Sequence, residues 1–289
     1  MNKIRTVAVF PTVFTLANLI CGFFAIVVAA RVERPTSLEP PQAVDIVFKN
    51  PTRVMKQLDP TNDTHNIMLS GWLIFLAMIF DALDGHVARL SRSSSDFGAQ
   101  LDSLCDVVSF GVAPGFLLVK MCPSFTYSHD KIWLIAAAFA ACAALRLARF
   151  NVESGEEDDH MNFSGLPSPA AAASIAGFAI LFYELRREGA TLMYAEEIDT
   201  WVQTILPFFA LLVALLMVSR IPYPHVVNQV LRGQRSFGHI VALVFAFVAI
   251  MSIRGYSGPI IGCIFVLAAP LRYAAQRVFY RRAAHDPIF

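Results

Sequence analysis

Long apolar runs separated by short polar breaks set the pattern of this chain. They fall at about residues 11–30, 69–89, 97–119 and 131–150, then in an Ala-rich run opened by Pro167 and Pro169. Three more follow at 201–218, 239–253 and 258–275. A helix needs about 20 predominantly apolar residues to cross a bilayer. The pattern therefore predicts an all-α, polytopic membrane bundle of about eight transmembrane helices. The boundary between the last two is the least sharply marked.

The breaks and the polar positions inside the runs refine this. Thr15, Asn18 and Gly22 recur at helical spacing in the first run, a polar and small stripe suited to facing other helices. The N-terminus superficially resembles a signal peptide, but its apolar run exceeds a typical signal h-region, so a retained first span is expected. Residues 31–68 are polar and proline-containing and read as an insertion, with a short surface helix expected near VDIVFKNPTRVMKQL; no chemistry is assigned to it. Asp96, ending the turn SRSSSD, is placed to cap the third span. Pro114 inside that span predicts a bend.

Composition strengthens the membrane reading. Of 289 residues, 56% are hydrophobic and 16% charged, against about 25% charged in average soluble domains. The five cysteines are scattered, mostly in apolar runs, and read as small buried hydrophobes without a disulfide framework. A net charge of +1 carries little information, because placement matters more in a membrane protein. With eight spans, Lys3, Arg5, Arg89, Arg92, Arg146, Arg149, Arg220 and the Arg-rich tail share one side. Lys120, Lys131, Arg186 and Arg187 fall on the other. The positive-inside rule makes the richer side cytoplasmic. No nucleic-acid partner is expected.

The chemistry concentrates between residues 81 and 106, DALDGHVARLSRSSSDFGAQLDSLCD. Asp81, Asp84, Asp102 and Asp106 stand at the edges of two apolar runs, where carboxylates are expensive. On helices, Asp81, Asp84, Gly85 and Ala88 share an arc of roughly 100°, and Gly98, Asp102 and Asp106 one of about 80°. Two such helices face to face bring four carboxylates together, with small residues leaving space beside them. One or two divalent cations would relieve their repulsion. All-oxygen ligands, with no Cys or close His pair, favour Mg²⁺ or Mn²⁺ over zinc.

The spacing D-x2-D-G-x2-A-R-x8-G-x3-D-x3-D is met at Asp81, Asp84, Gly85, Ala88, Arg89, Gly98, Asp102 and Asp106. It resembles the signature of the CDP-alcohol phosphotransferases, membrane enzymes that exchange CMP on a CDP-linked lipid for an alcohol. The resemblance covers roughly residues 8–220. It implies a six-helix family core within residues 1–220, with a basic loop, two further spans and a basic tail in 221–289. It also implies Asp81, Asp84, Asp102 and Asp106 as metal ligands, with Asp106 doubling as the catalytic base. Gly85, Ala88 and Gly98 would admit the CDP moiety, and Arg89 would neutralise phosphate. His86 stands at a variable family position, where nucleotide contact and a bland interfacial role are equally open. A homodimer is implied too.

LDSLCDVVSFGVAPG, RLARFN, GLPSPAAA and LMVSRIPYP resemble the phosphatidylserine synthase branch. The implied donor is CDP-diacylglycerol and the implied acceptor L-serine, giving phosphatidylserine and CMP within phospholipid biosynthesis. Arg146 and Arg149, with Asn151 nearby, could receive the serine carboxylate, although both arginines could equally be positive-inside anchors or lipid-phosphate contacts. The expected location is the bacterial cytoplasmic (inner) membrane, with the site facing the cytoplasm, where nucleotides are made. Glycerol-3-phosphate or inositol phosphate is the alternative acceptor, but would want a denser basic pocket. A divalent-cation transporter is a remote alternative, since only one aspartate cluster is present and no inverted second copy.

Overall fold

A computed structural model describes residues 9–32, 60–91, 96–123, 131–153, 165–186, 194–223 and 254–283. Helices α1 (Val9–Ala30) and α2 (Pro60–Ser91) come first. The third span is composite: α3 (Asp96–Asp106), a π-helical turn (Val107–Val112) and α4 (Ala113–Met121). Then come α5 (Lys131–Glu153), α6 (Ser168–Arg186) and α7 (Ala195–Val218). A 3-10 turn (Arg254–Tyr256) leads into α8 (Ser257–Ala283). Among the described residues there is no β-strand, and seven helical segments are long and apolar enough to cross a membrane. The chain is an integral membrane helical bundle. The run expected at 239–253 and the surface helix expected near residues 44–58 lie outside the described residues.

Three differences from the sequence expectation have clear causes. Helix α2 begins at Pro60 rather than near residue 69, so the end of the expected polar insertion is helical. Proline in the first turn and Asp63 beside it suit a helix N-terminus, and Thr64 and Ile67 are already buried. Helix α7 likewise starts at Ala195 rather than 201, with Glu196 and Glu197 in its first turn. The third difference concerns Pro114. In a regular helix its ring would press on the carbonyl four residues back. Here the preceding turn is widened: the Ala113 N–H donates to Val108 O, five residues back. Such π turns often accompany functional positions, and this one starts directly after Asp106.

Helix α1 packs along α2 and crosses α3, the π turn and α4. Helix α6 lies at the centre, touched by α2, α4, α7 and α8. Close approach depends on small residues, as expected where lipid offers no hydrophobic drive between helices. Gly111 faces Ala140 and Ala143 of α5, and a Cβ on Gly115 would lie 2.9 Å from Ala136 O. Gly258 and Gly262 of α8 meet Gly177 and Ser174 of α6 in the same way. Replacing Gly115 by Val should therefore push α4 off α5 and cost about 1–3 kcal/mol, the usual scale of overpacking. A thermal melt of purified protein should register this as a lowered midpoint; an unchanged midpoint would show that the contact is slack.

One connection is pinned by backbone conformation. Gly165 has φ 95°, a region L side chains rarely adopt. Its N–H donates to Ile221 O at 2.9 Å and the Leu166 N–H to Leu216 O at 3.0 Å. The start of α6 is thereby stitched to the end of α7. Tyr223, just beyond, donates its hydroxyl to Val266 O at 3.0 Å, and burial pushes the phenol up to about 12, so it remains a donor.

The up-and-down order separates two ends of the bundle. At one, Arg186 pairs with Asp199 at 2.8 Å, Gln203 donates to Asp199 at 2.7 Å and Lys120 donates to Val32 O at 2.7 Å. At the other stand the end of α2, the starts of α3 and α6, and the end of α5.

Candidate active site

The second end gathers the aspartates. Asp81 and Asp84 sit three residues apart near the end of α2, and Asp102 and Asp106 four apart on α3. One carboxylate oxygen from each of Asp81, Asp102 and Asp106 lies within 4.8 Å of the other two. Asp84 is not part of this trio. Its Oδ2 accepts the Thr15 hydroxyl at 2.7 Å, and its Oδ1 is buried without a partner. All four carboxylates remain within Coulombic reach of at least one other.

Buried carboxylate oxygens almost always have partners, and unpartnered ones are costly. Asp102 Oδ1 and Asp84 Oδ1 have none. Three convergent carboxylates, with an unpartnered oxygen on Asp102 and another on neighbouring Asp84, are a donor set for a hard divalent cation. The residues therefore fit the metal expected from the sequence, with Asp81, Asp102 and Asp106 able to share one ion and Asp84 adjacent to them.

Helix α1 supplies the wall facing this trio. The Thr15, Asn18 and Gly22 stripe turns inward as its spacing predicts: Thr15 and Asn18 are buried. Asn18 Nδ2 donates to Asp106 Oδ1 at 2.9 Å, and the Ser109 hydroxyl donates to the Asn18 carbonyl at 3.0 Å. Gly22 lies against Ser109, whose Cα would be 2.7 Å from an added Cβ. From sequence this stripe has a packing role and a likeness to the Thr–Asn–Gly stripe of the resembled family; its contacts with two motif aspartates come from the structure.

The residues expected around the nucleotide are placed unevenly. A Cβ on Gly85 would meet nothing within 4 Å, so open space lies beside it. His86 is exposed and Gly98 half-buried. Ala88 and Arg89 continue the same helix, their side chains falling outside the described set.

Of the residues expected at the acceptor, Arg146 stands nearest the chemistry. It interacts electrostatically with Asp106 across the helix interface. Its Nη1 donates to the Ser168 hydroxyl at 3.0 Å, while its Nε is buried without a partner. Ser168 opens α6 within GLPSPAAA, the segment singled out from sequence, although that residue itself was not. Arg149 follows one turn along α5 and is half-buried. Asn151 Nδ2 donates to Ser103 Oγ at 2.9 Å, tying the end of α5 to α3 beside Asp102.

An apolar cavity of about 680 Å³ lies between α2, α6 and α8. Met78 and Ala170, close in sequence to Asp81 and Ser168, line it at this end, and Met68 and Glu184 at the other.

A CDP-diacylglycerol--serine O-phosphatidyltransferase of Methanocaldococcus jannaschii is 40% identical over 158 residues, 55% of this chain and 65% of the relative. One of Helicobacter pylori is 34% identical over 164 residues, 56% of this chain and 63% of the relative. An archaetidylserine synthase of Methanothermobacter thermautotrophicus is 37% identical over 156 residues, 53% of this chain and 57% of the relative. The chain thus spans less than two thirds of the length of these curated relatives. The family profile described as CDP-alcohol phosphatidyltransferase matches residues 8–216, most of the chain and every motif aspartate. The chain belongs to the CDP-alcohol phosphatidyltransferase family.

Proposed function

We propose that this protein transfers a phosphatidyl group from CDP-diacylglycerol to the hydroxyl of L-serine, giving phosphatidylserine and CMP. The observation that carries the reading is the trio of carboxylate oxygens from Asp81, Asp102 and Asp106 within 4.8 Å of one another. The names of the relatives support serine as the acceptor, since those described above are named for serine transfer or archaetidylserine synthesis.

Mg²⁺ or Mn²⁺, as one or two ions, would be held by Asp81, Asp102 and Asp106, with Asp84 alongside. When bound it supplies positive charge to the pyrophosphate and to the departing CMP. The remaining work falls to the chain. Gly85, Ala88 and Gly98 leave room for the cytidine, and Arg89 neutralises phosphate. Arg146 and Arg149 hold the serine carboxylate, with Ser168 fixing one arm of the Arg146 fork. Asp106 takes the proton from the serine hydroxyl as its oxygen attacks the lipid-bearing phosphorus. The bond from that phosphorus to the bridging oxygen breaks, and its electron pair leaves on CMP. The apolar cavity beside Met78 and Ala170 accommodates acyl chain. Asn151, bonded to Ser103, acts by holding α5 against α3.

The site faces the cytoplasm, as the distribution of Arg and Lys implies, in the cytoplasmic membrane of a bacterial cell. The protein works as a homodimer. The decisive experiment is CMP release by the purified chain with CDP-diacylglycerol, Mg²⁺ or Mn²⁺, and a panel of alcohols. Serine should stimulate release and yield phosphatidylserine. Use of glycerol-3-phosphate or inositol phosphate without serine would reject the acceptor, and no release with any alcohol would reject the transferase.

A further inference from the structure

We propose that Asn18 is a positioning residue for Asp106, holding one carboxylate oxygen so that the other is presented to the attacking hydroxyl. The proposal rests on the transferase reading above and adds to it a residue from outside the aspartate motif.

Asn18 is fully buried on α1, 88 residues away in sequence from the aspartate it holds. Its Nδ2 donates to Asp106 Oδ1 at 2.9 Å. Its own carbonyl receives the Ser109 hydroxyl at 3.0 Å, and Gly22, one turn further on, lies against Ser109. Asn18 is thus fixed from two directions by the same span that carries Asp106, across the π turn that begins one residue later. Its side-chain Oδ1 is buried and has no partner. An asparagine kept only for packing would have both ends satisfied or be replaced by an apolar residue of the same size.

The choice of group also fits a base. An amide cannot ionise, so it orients the carboxylate without adding to the positive charge that Arg146 already brings to it. A lysine or arginine in the same place would do both. With Oδ1 committed to Asn18, Oδ2 is the oxygen left for the proton. Thr15 holds Asp84 in the same manner from one turn earlier. Helix α1 therefore orients one carboxylate from each motif helix.

The test uses the full chain, purified, with Asn18→Leu, which is nearly isosteric but has no donor. Asn18→Ser, still polar but too short to reach, serves as a second variant should the first fold poorly. A misdirected base costs on the order of 10–100-fold in rate. We expect kcat to fall by that factor, with KM for CDP-diacylglycerol and for serine, and Mn²⁺ affinity by calorimetry, each changed by less than about threefold. Because Asn18 acts through Asp106, Asn18→Leu should cost nothing further in an Asp106→Asn background. Unchanged kcat, a rise in KM without loss of kcat, additive losses in the double variant, or joint loss of Mn²⁺ binding and rate would each overturn the proposal. If the wild type itself releases no CMP with any alcohol, the transferase reading fails and takes this proposal with it. An active wild type beside an indifferent Asn18→Leu rejects the positioning role alone.

Discussion

Replacing Asp106 by Asn should lower kcat by roughly 10²–10⁴-fold, the usual scale for losing a general base, while the fold is retained. The geometry makes this substitution unusually clean. Asn18 donates to Asp106 Oδ1, and an asparagine at 106 still offers an amide oxygen to receive it. The contact between α1 and α3 therefore survives, and one ligand oxygen is preserved. What disappears is the second carboxylate oxygen, the atom that would take the proton from serine. Affinity for cytidine nucleotide should fall much less than turnover, because Asp81 and Asp102 still present their oxygens. The measurement is paired: turnover with saturating substrates, and nucleotide affinity by calorimetry with metal titrated. Near-normal turnover would remove Asp106 as the base. Loss of nucleotide and metal binding as complete as for Asp81→Asn would leave it a ligand only.

The aspartate motif was readable because its spacing is a helical spacing, and because carboxylates at the edge of an apolar run demand a reason. Sequence could align Asp81 with Asp84 and Asp102 with Asp106 on their own helices. It could not divide the four, since that depends on how two helices meet. Asp84 accepts a hydrogen bond from Thr15, and the close trio is formed by the other three. The Thr15, Asn18 and Gly22 stripe was legible as a packing face for the same periodic reason. Its partners were not, since contacts 69 and 88 residues distant have no local signature. Asn151 is similar: a polar residue near two arginines reads as part of their pocket, and its bond to Ser103, 48 residues distant, has no local signature either. Pro114 announced a disturbance in the third span, but its accommodation by a widened π turn depends on what packs there. Ser109, Phe110 and Gly111 are buried in that turn. The start of α2 at Pro60 was missed because its first turns are polar and carry no hydrophobic period.

The second large effect concerns stability and metal in opposite directions. Three ionised carboxylates with oxygens within 4.8 Å of one another repel by about 3–4 kcal/mol per pair or more at an effective dielectric near 20. In metal-free protein no cation offsets this repulsion, so Asp81→Asn should raise the melting midpoint. For a chain of this size each kcal/mol is worth about 2–4 °C. With a divalent ion the order reverses. Wild type at a Mn²⁺ concentration 100 times its dissociation constant gains about 2.7 kcal/mol from binding. The variant, short of one charged ligand, should gain little at the same concentration and should bind cytidine nucleotide poorly. Melting curves of the two proteins, each with chelator and with Mn²⁺, would therefore cross. Asp199→Asn is the control, because Asp199 is paired with Arg186 at the opposite end of the bundle. Neutralising it takes the counter-charge from a half-buried guanidinium and should lower the midpoint equally with and without metal. A metal-free Asp81→Asn less stable than wild type, together with an undiminished response to Mn²⁺, would mean that these carboxylates do not form a cation site. Destabilisation there comparable to Asp199→Asn would mark Asp81 as a structural residue, held in place by contacts rather than by an ion.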